Sequence, residues 1–162
     1  MLCKNARHPV TFDYTFDFPY LNAVQSIFIE PHGVKNGTMK LIDLRKLIIE
    51  NGESPPIHAD LRTRFPEKRF PLIIVCHGFL GYKGWGFFPY LSEHLAVSGF
   101  HVLTISFSMN GIDEETGLFT RPEELARNTV TTEISDLRRT CLFARGRTFP
   151  FDVSGQNWGF IG

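Results

Sequence analysis

Few residues in this chain stand at spacings that do chemistry unaided, and pattern disposes of most of them. The histidines at His8, His32 and His58 are scattered without metal-ligand spacing, and His94 and His101 read as packing or surface residues of a helix and a strand start. The cysteines, Cys3, Cys76 and Cys141, are odd in number, widely spaced and contain no CxxC pair. That argues against a zinc site or a disulfide framework, and Cys76, inside an apolar run, reads as a small core residue. Asp113, Glu114 and Glu115 form an acidic cluster in a loop, better explained by solvation and helix-end electrostatics than by acid–base catalysis. Residues 78–84 are rich enough in glycine to suggest a phosphate loop, but they match neither G-x-G-x-x-G nor G-x-x-x-x-G-K-[ST]. What remains is His77-Gly78-Phe79-Leu80-Gly81, a glycine-rich turn directly after the apolar run Leu72-Ile73-Ile74-Val75-Cys76.

That run is continuous and β-branched, so it predicts a strand buried on both faces, as in a parallel sheet flanked by helices. Phe88, Leu91, Leu95 and Ala96 then share a helical face, and Gly99 suits the position just past the helix end. Residues 100–107 predict a second buried strand centred on Val102, Leu103 and Ile105. After a polar loop, Thr120 is placed to cap a helix with Pro122, Glu123 and Glu124 in its first turn. The helix is expected to continue through Val130, Ile134, Leu137, Cys141 and Leu142 on one face and to end at Gly146. Gly159 to Gly162 reads as a strand beginning.

Upstream, Leu47-Ile48-Ile49 before Asn51-Gly52, with the alternating residues 57–62 beyond, predicts a hairpin, the Asn-Gly pair being a type I′ turn signal. A helix over 39–50 is the competing reading. Phe12, Tyr14, Phe16 and Phe18 alternate with polar residues as in an edge strand or extended arm, and residues 24–29 suit a short strand. The boundaries drawn from this pattern are an extended arm or edge strands over 1–38 and an α/β domain over 39–162. The alternation of strands and helices implies a mostly parallel sheet with right-handed crossovers and an antiparallel hairpin at one edge.

Phe70-Pro71-Leu72-Ile73-Ile74-Val75-Cys76-His77-Gly78-Phe79 resembles the third strand and oxyanion loop of the α/β-hydrolases, nearest their dienelactone-hydrolase-like and serine-aminopeptidase-like branches. The likeness continues through Gly84-Trp85, Pro89, Leu91, Leu95, Gly99-Phe100 and residues 107–111, and covers roughly 39–162. It implies that the Phe79 N–H is the first oxyanion donor, that His77 braces the loop and that Gly78 permits the turn. It further implies that Leu80, Tyr82 and Trp85 shape the substrate pocket. Such donors matter because acyl transfer places negative charge on the carbonyl oxygen, and losing one donor costs about 3–4 kcal/mol. The family's nucleophile lies on a G-x-S-x-G elbow after the following strand, and no serine here fits it: Ser106, Ser108 and Ser154 all lack the pattern. The acid and histidine follow the serine in this family, so a sheet cut off before the elbow is expected, from a protein roughly twice as long.

The balance of 17 basic and 17 acidic residues gives no reason to expect nucleic acid or an anionic membrane as partner. The N-terminus has no apolar h-region and no apolar run is long enough to span a bilayer, which with reduced thiols fits a cytoplasmic setting. The 16 Phe must largely be buried. The chain is thus expected to be part of a serine hydrolase acting on a small-molecule carboxylic ester, lactone, thioester or peptide bond, with no metal or organic cofactor and inactive by itself. Two rivals are a short non-catalytic α/β binding or interaction module and a nucleotide-binding α/β protein, the second disfavoured by the missing phosphate motifs. The pattern leaves the oligomeric state open.

Overall fold

The structure, a computed structural model, describes residues 42–153 and 157–162. The aromatic stripe at 12–18, the strand expected at 24–29, Cys3, His8, His32 and Ser154 lie outside the described residues. The rest forms one five-stranded sheet in the order β1-β2-β4-β3-β5. The strands are β1 (Asp43–Ile49), β2 (Ile57–Thr63), β3 (Leu72–Val75), β4 (His101–Ser106) and β5 (Trp158–Ile161). The β1–β2 and β2–β4 pairings are antiparallel, and β3 pairs in parallel with both β4 and β5. Among the described residues β1, β4, β3 and β5 thus run the same way and only β2 opposes them, so the sheet is mixed, mostly parallel in strand direction, with the antiparallel hairpin at one edge.

Alternation along the strands sorts two cores. Leu72, Ile74, Leu103, Ile105, Ala59 and Leu61 share one cluster with Leu137, Cys141 and Ala144 of α3 (Val130–Arg145). Val75 and Val102 face the other way, onto Phe88 and Ala96 of α1 (Phe88–Val97). Helices thus cover both faces, which is why β3 and β4 are buried on both sides. The segment after α3 closes the first core with Phe149, Phe151 and Val153, and Phe151 stacks on the buried His101 ring at 4.8 Å. No helix among the described residues is long and apolar enough to cross a membrane.

The hairpin forms as its alternation requires, but not through a two-residue turn. Residues 50–56 link the strands, and Ile49 lies opposite Ile57. Gly52 has φ +67° while Asn51 does not have a positive φ, so the type I′ geometry, which needs both, is absent. The expected single helix after residue 120 is instead two: α2 (Pro122–Arg127) and α3. Thr120 is not its cap; Arg121 occupies that place without a side-chain cap bond. The chain turns extended at Asn128 and Thr129, and the Thr129 hydroxyl accepts from the Thr132 N–H at 3.1 Å, starting a new helix.

The buried stripe of α3 also differs from expectation. Asp136, Thr140 and Ala144 face the core, whereas Val130 (72% exposed), Ile134 (48%) and Leu142 (65%) are exposed, with Leu137 and Cys141 at the margin. Hydropathy picks the neighbouring stripe because the inner one is polar and small. The same holds on α1, where Ser92 is fully buried and its hydroxyl lies 2.7 Å from the Thr104 hydroxyl. Removing one partner of such a pair leaves a buried hydroxyl unsatisfied; removing both does not. We expect Ser92→Ala to destabilise the chain by about 1–3 kcal/mol, and the Ser92→Ala, Thr104→Val double variant to lose clearly less than the sum of the single variants. Denaturant unfolding of the three variants measures this, and additive losses would contradict it.

Candidate functional site

Successive crossovers leave β3 and β4 toward opposite faces, so the loops at their carboxyl ends part and leave a crevice, the usual ligand position of open α/β sheets. Here the crevice is bounded by the loop 76–87 after β3 and the loop 107–121 after β4.

His77 joins the two loops. Its side chain is buried, with the ring edge-on to Phe107 at 5.0 Å. Its Nε2 accepts the Phe107 N–H at 3.0 Å and therefore carries no proton. Its Nδ1 lies 2.8 Å from the Gly78 carbonyl oxygen and so must carry the proton and donate it. The ring is neutral, and burial pushes its pKa below the ordinary 6.5. The Gly78 carbonyl also accepts the Gly81 N–H at 3.0 Å, closing a tight turn.

This fixes the next amide. The peptide is trans, so the Phe79 N–H points opposite to the Gly78 carbonyl, away from the His77 ring. Among the described residues nothing accepts that N–H. It stands outside the strand ladder, in an exposed stretch that includes Gly78 and Leu80. The turn is tight enough to hold Leu80 at φ +57°, a left-handed conformation that costs a non-glycine residue about 1–2 kcal/mol. Gly81 has no such freedom of choice: a Cβ there would lie 2.9 Å from the His77 Cβ and 3.1 Å from the Gly78 oxygen.

The remaining expected residues separate by role. Phe79 (86% exposed), Leu80 and Trp85 expose their side chains, as do Phe87 and Tyr90 nearby in sequence and Leu118 and Phe119 in the 107–121 loop. Tyr82 is half-buried, its ring against Gly84 and its hydroxyl against Gly117, where a Cβ would meet it at 2.6 Å. Ser106 accepts the Lys83 N–H through its hydroxyl at 3.0 Å. Ser108 is buried, its hydroxyl without a hydrogen-bond partner. Neither buried histidine offers a free ring nitrogen to activate them: His77 is committed as described, and His101 meets Thr63 Oγ1 at 2.9 Å and the Lys68 carbonyl at 3.0 Å.

Cys76 is half-buried against the α3-side core, and burial pushes its thiol up to about 11, so it is a poor nucleophile. Among the described residues no group of three or more His, Cys, Asp or Glu side chains could hold a metal ion.

Charged residues brace the crevice from the α1 side, and sequence reasoning missed them. Lys83 Nζ lies 3.3 Å from Asp60 and 3.1 Å from Glu114, and Arg62 lies 3.2 Å from Asp60, all four side chains nearly buried. Burial opposes the charge on Lys83, but Asp60 and Glu114 outweigh it and raise its pKa. Glu114, expected as a solvated acid, is thus an internal ion-pair partner. A signal existed: Asp60 and Arg62 lie two apart on a strand and share its face. Asn110 adds a bond from Nδ2 to the Gly81 carbonyl at 3.4 Å, and its Oδ1 accepts the Ile112 N–H at 3.0 Å.

No protein-family model matches this chain, and no curated protein does so significantly. Solved structures do. A cold-adapted esterase from an Arctic intertidal metagenomic library is 15% identical over 74% of this chain, with a TM-score of 0.54. A dienelactone hydrolase from Anabaena variabilis is 17% identical over 74% of the chain, TM-score 0.53. An esterase from Pyrobaculum calidifontis is 15% identical over 73%, TM-score 0.52. The chain spans 50%, 51% and 34% of their lengths, respectively. At these identities the likeness is one of fold: the described residues form part of an α/β-hydrolase fold, as found in these esterases and this dienelactone hydrolase.

Two outcomes follow from the geometry. Gly81→Ala should destabilise the chain by about 1–3 kcal/mol, because the new methyl meets backbone and a Cβ rather than a movable side-chain end; thermal or denaturant unfolding checks it. The second concerns acid. His77 and His101 both have folded pKa values below the ordinary 6.5, so the unfolded chain binds more protons than the folded one as pH falls. Their contribution is complete above 6.5 and is lost as pH falls through the lower folded values. Unfolding midpoints should therefore drop between about pH 7.5 and about pH 5.5, and His77→Gln should flatten that dependence.

Proposed function

We propose that this chain supplies the oxyanion-loop part of a serine hydrolase site, acting on a small-molecule carboxylic ester, lactone, thioester or peptide bond. The observation that carries this reading is the Phe79 N–H, without an acceptor and oriented by a carbonyl that the His77 ring and the Gly81 N–H both hold. The esterases and dienelactone hydrolase that share the fold support it.

In this reading a serine hydroxyl adds to the substrate carbonyl carbon as its proton passes to a histidine, both from sequence beyond the elements described. The carbonyl π electrons move to oxygen, and the Phe79 N–H donates to the resulting anion. The tetrahedral centre collapses to an acyl-serine as the alcohol, thiol or amine leaves with the proton that the histidine returns, and water then cleaves the acyl-serine by the same steps. A donor already fixed by the fold needs no reorganisation as charge develops, which is the source of its effect. Leu80 and Trp85, exposed in the same loop as this amide, would contact the acyl or leaving group, while Tyr82 would support the loop.

Proline at 79 tests the donor directly, because it deletes the N–H while no described bond depends on it. In the intact gene product, Phe79→Pro is expected to lower kcat/KM on p-nitrophenyl acetate by about 100–1000-fold, and Phe79→Ala, which keeps the N–H, by far less. The 162-residue chain by itself should show no turnover. Equal losses for the proline and alanine variants, or turnover by the chain that a serine substitution abolishes, would refute the assignment. An intact protein that folds but neither hydrolyses esters nor labels with a fluorophosphonate would favour a non-catalytic binding module.

A further inference from the structure

The least expected group in the core is Asp136. It sits in the middle of α3, is 1% exposed, and among the described residues has no cationic partner. Its carboxylate is held by neutral donors alone: Oδ2 accepts the Ser108 N–H at 2.8 Å and Oδ1 accepts the Asn51 amide at 2.8 Å. One turn on, the Thr140 hydroxyl donates to the Asp136 carbonyl at 2.9 Å. A carboxylate kept from water without an opposite charge is expensive, and an apolar residue would pack this stripe at less cost. Its partners indicate what it does. Ser108 follows Phe107, and the Phe107 N–H is the one that His77 Nε2 accepts.

We infer that Asp136 is a positioning residue for the crest amide of Phe79, acting through Ser108, Phe107 and the His77 ring. The rigid part is α3, sixteen residues long and packed on the sheet. From it a carboxylate fixes the 107–108 peptide plane. That plane and the end of β4 set where the Phe107 N–H points. The N–H decides which His77 nitrogen stays bare, and the proton is thereby placed on Nδ1, facing the Gly78 carbonyl. The carbonyl sets the 78–79 peptide. The three noncovalent links are single hydrogen bonds between 2.8 and 3.0 Å, and the others are the backbone of 107–108 and of 78–79. The inference rests on the reading of the Phe79 N–H as an oxyanion donor, but the coupling from α3 to the ring can be measured without it.

The readout is the His77 tautomer by 15N NMR of the imidazole in the full chain. Free neutral imidazole side chains in water favour the Nε2–H form, so a persistent Nδ1–H form is a signature of the Phe107 contact. Asp136→Ala should erode that signature, giving a mixture of tautomers. Asp136→Val, which fills the space without any acceptor for the Ser108 N–H, should do so too; it serves if the alanine variant fails to fold. Asn51→Ala removes the other partner of the same carboxylate and should lower stability while leaving the tautomer unchanged. An intact Nδ1–H signature in folded Asp136→Ala or Asp136→Val, or an equal shift in Asn51→Ala, would overturn the proposal. In the intact protein Asp136→Val should lower kcat/KM by up to about 100-fold with KM little changed. A shifted tautomer with unimpaired turnover would refute the role toward Phe79, whereas an unaffected Phe79→Pro variant would refute the donor assignment itself.

Discussion

One imidazole ring holds the crevice together. The two loops that bound it leave different strands on courses toward opposite faces of the sheet, and nothing in the strand ladder obliges them to meet. His77 makes them meet, accepting from the Phe107 N–H with one nitrogen and donating to the Gly78 carbonyl with the other. Only a neutral ring does both, since an imidazolium has no acceptor. Burial supplies that condition, and the Phe107 ring packed edge-on adds to it. The direction of the Phe79 N–H is a consequence of these two bonds together with the planarity of the peptide.

Polar groups reinforce the clasp from both sides of the sheet. On the α1 side, Lys83 ties the 76–87 loop to Asp60 on β2 and to Glu114 in the 107–121 loop, with Arg62 balancing the charge. Buried ion pairs of this kind add little net stability, but breaking one leaves an uncompensated charge, so they favour a single arrangement of the loops. On the α3 side, Asp136 gathers the Ser108 N–H and Asn51. The crest is thus built upon polar contacts inside a frame that apolar packing provides.

Much of the frame was legible in the sequence, because it obeys period and punctuation. Leu72 to Val75 and His101 to Ser106 are buried strands as their β-branched runs imply, Gly99 follows α1 with φ +95°, and the hairpin aligns as its alternation requires. Where hydropathy stands for burial it goes astray. Ser92, Asp136 and Thr140 occupy inward positions on helices whose more apolar neighbours, Val130 and Ile134 among them, face outward. Thr129 rather than Thr120 starts the long helix, since a cap depends on the backbone turning extended and not on residue type alone. The role of His77 was accessible only by resemblance. Its two hydrogen bonds, one to a main-chain N–H thirty residues away, leave no trace in local spacing. Asp60, Lys83 and Glu114 were hidden for the same reason: three segments distant in sequence supply one cluster.

The left-handed backbone at Leu80 has a further implication. Glycine is the residue that relaxes such a conformation, yet the chain keeps an isobutyl group there, at the rim and partly in solvent, where it does little for packing. A protein selected only for robustness would have no use for it. Any campaign to harden this molecule against heat would arrive early at this position, and the gain would come from erasing the partly exposed apolar side chain that follows Phe79. In the proposed reading, where Leu80 contacts the acyl or leaving group, thermal resilience and molecular recognition are set against each other at this side chain.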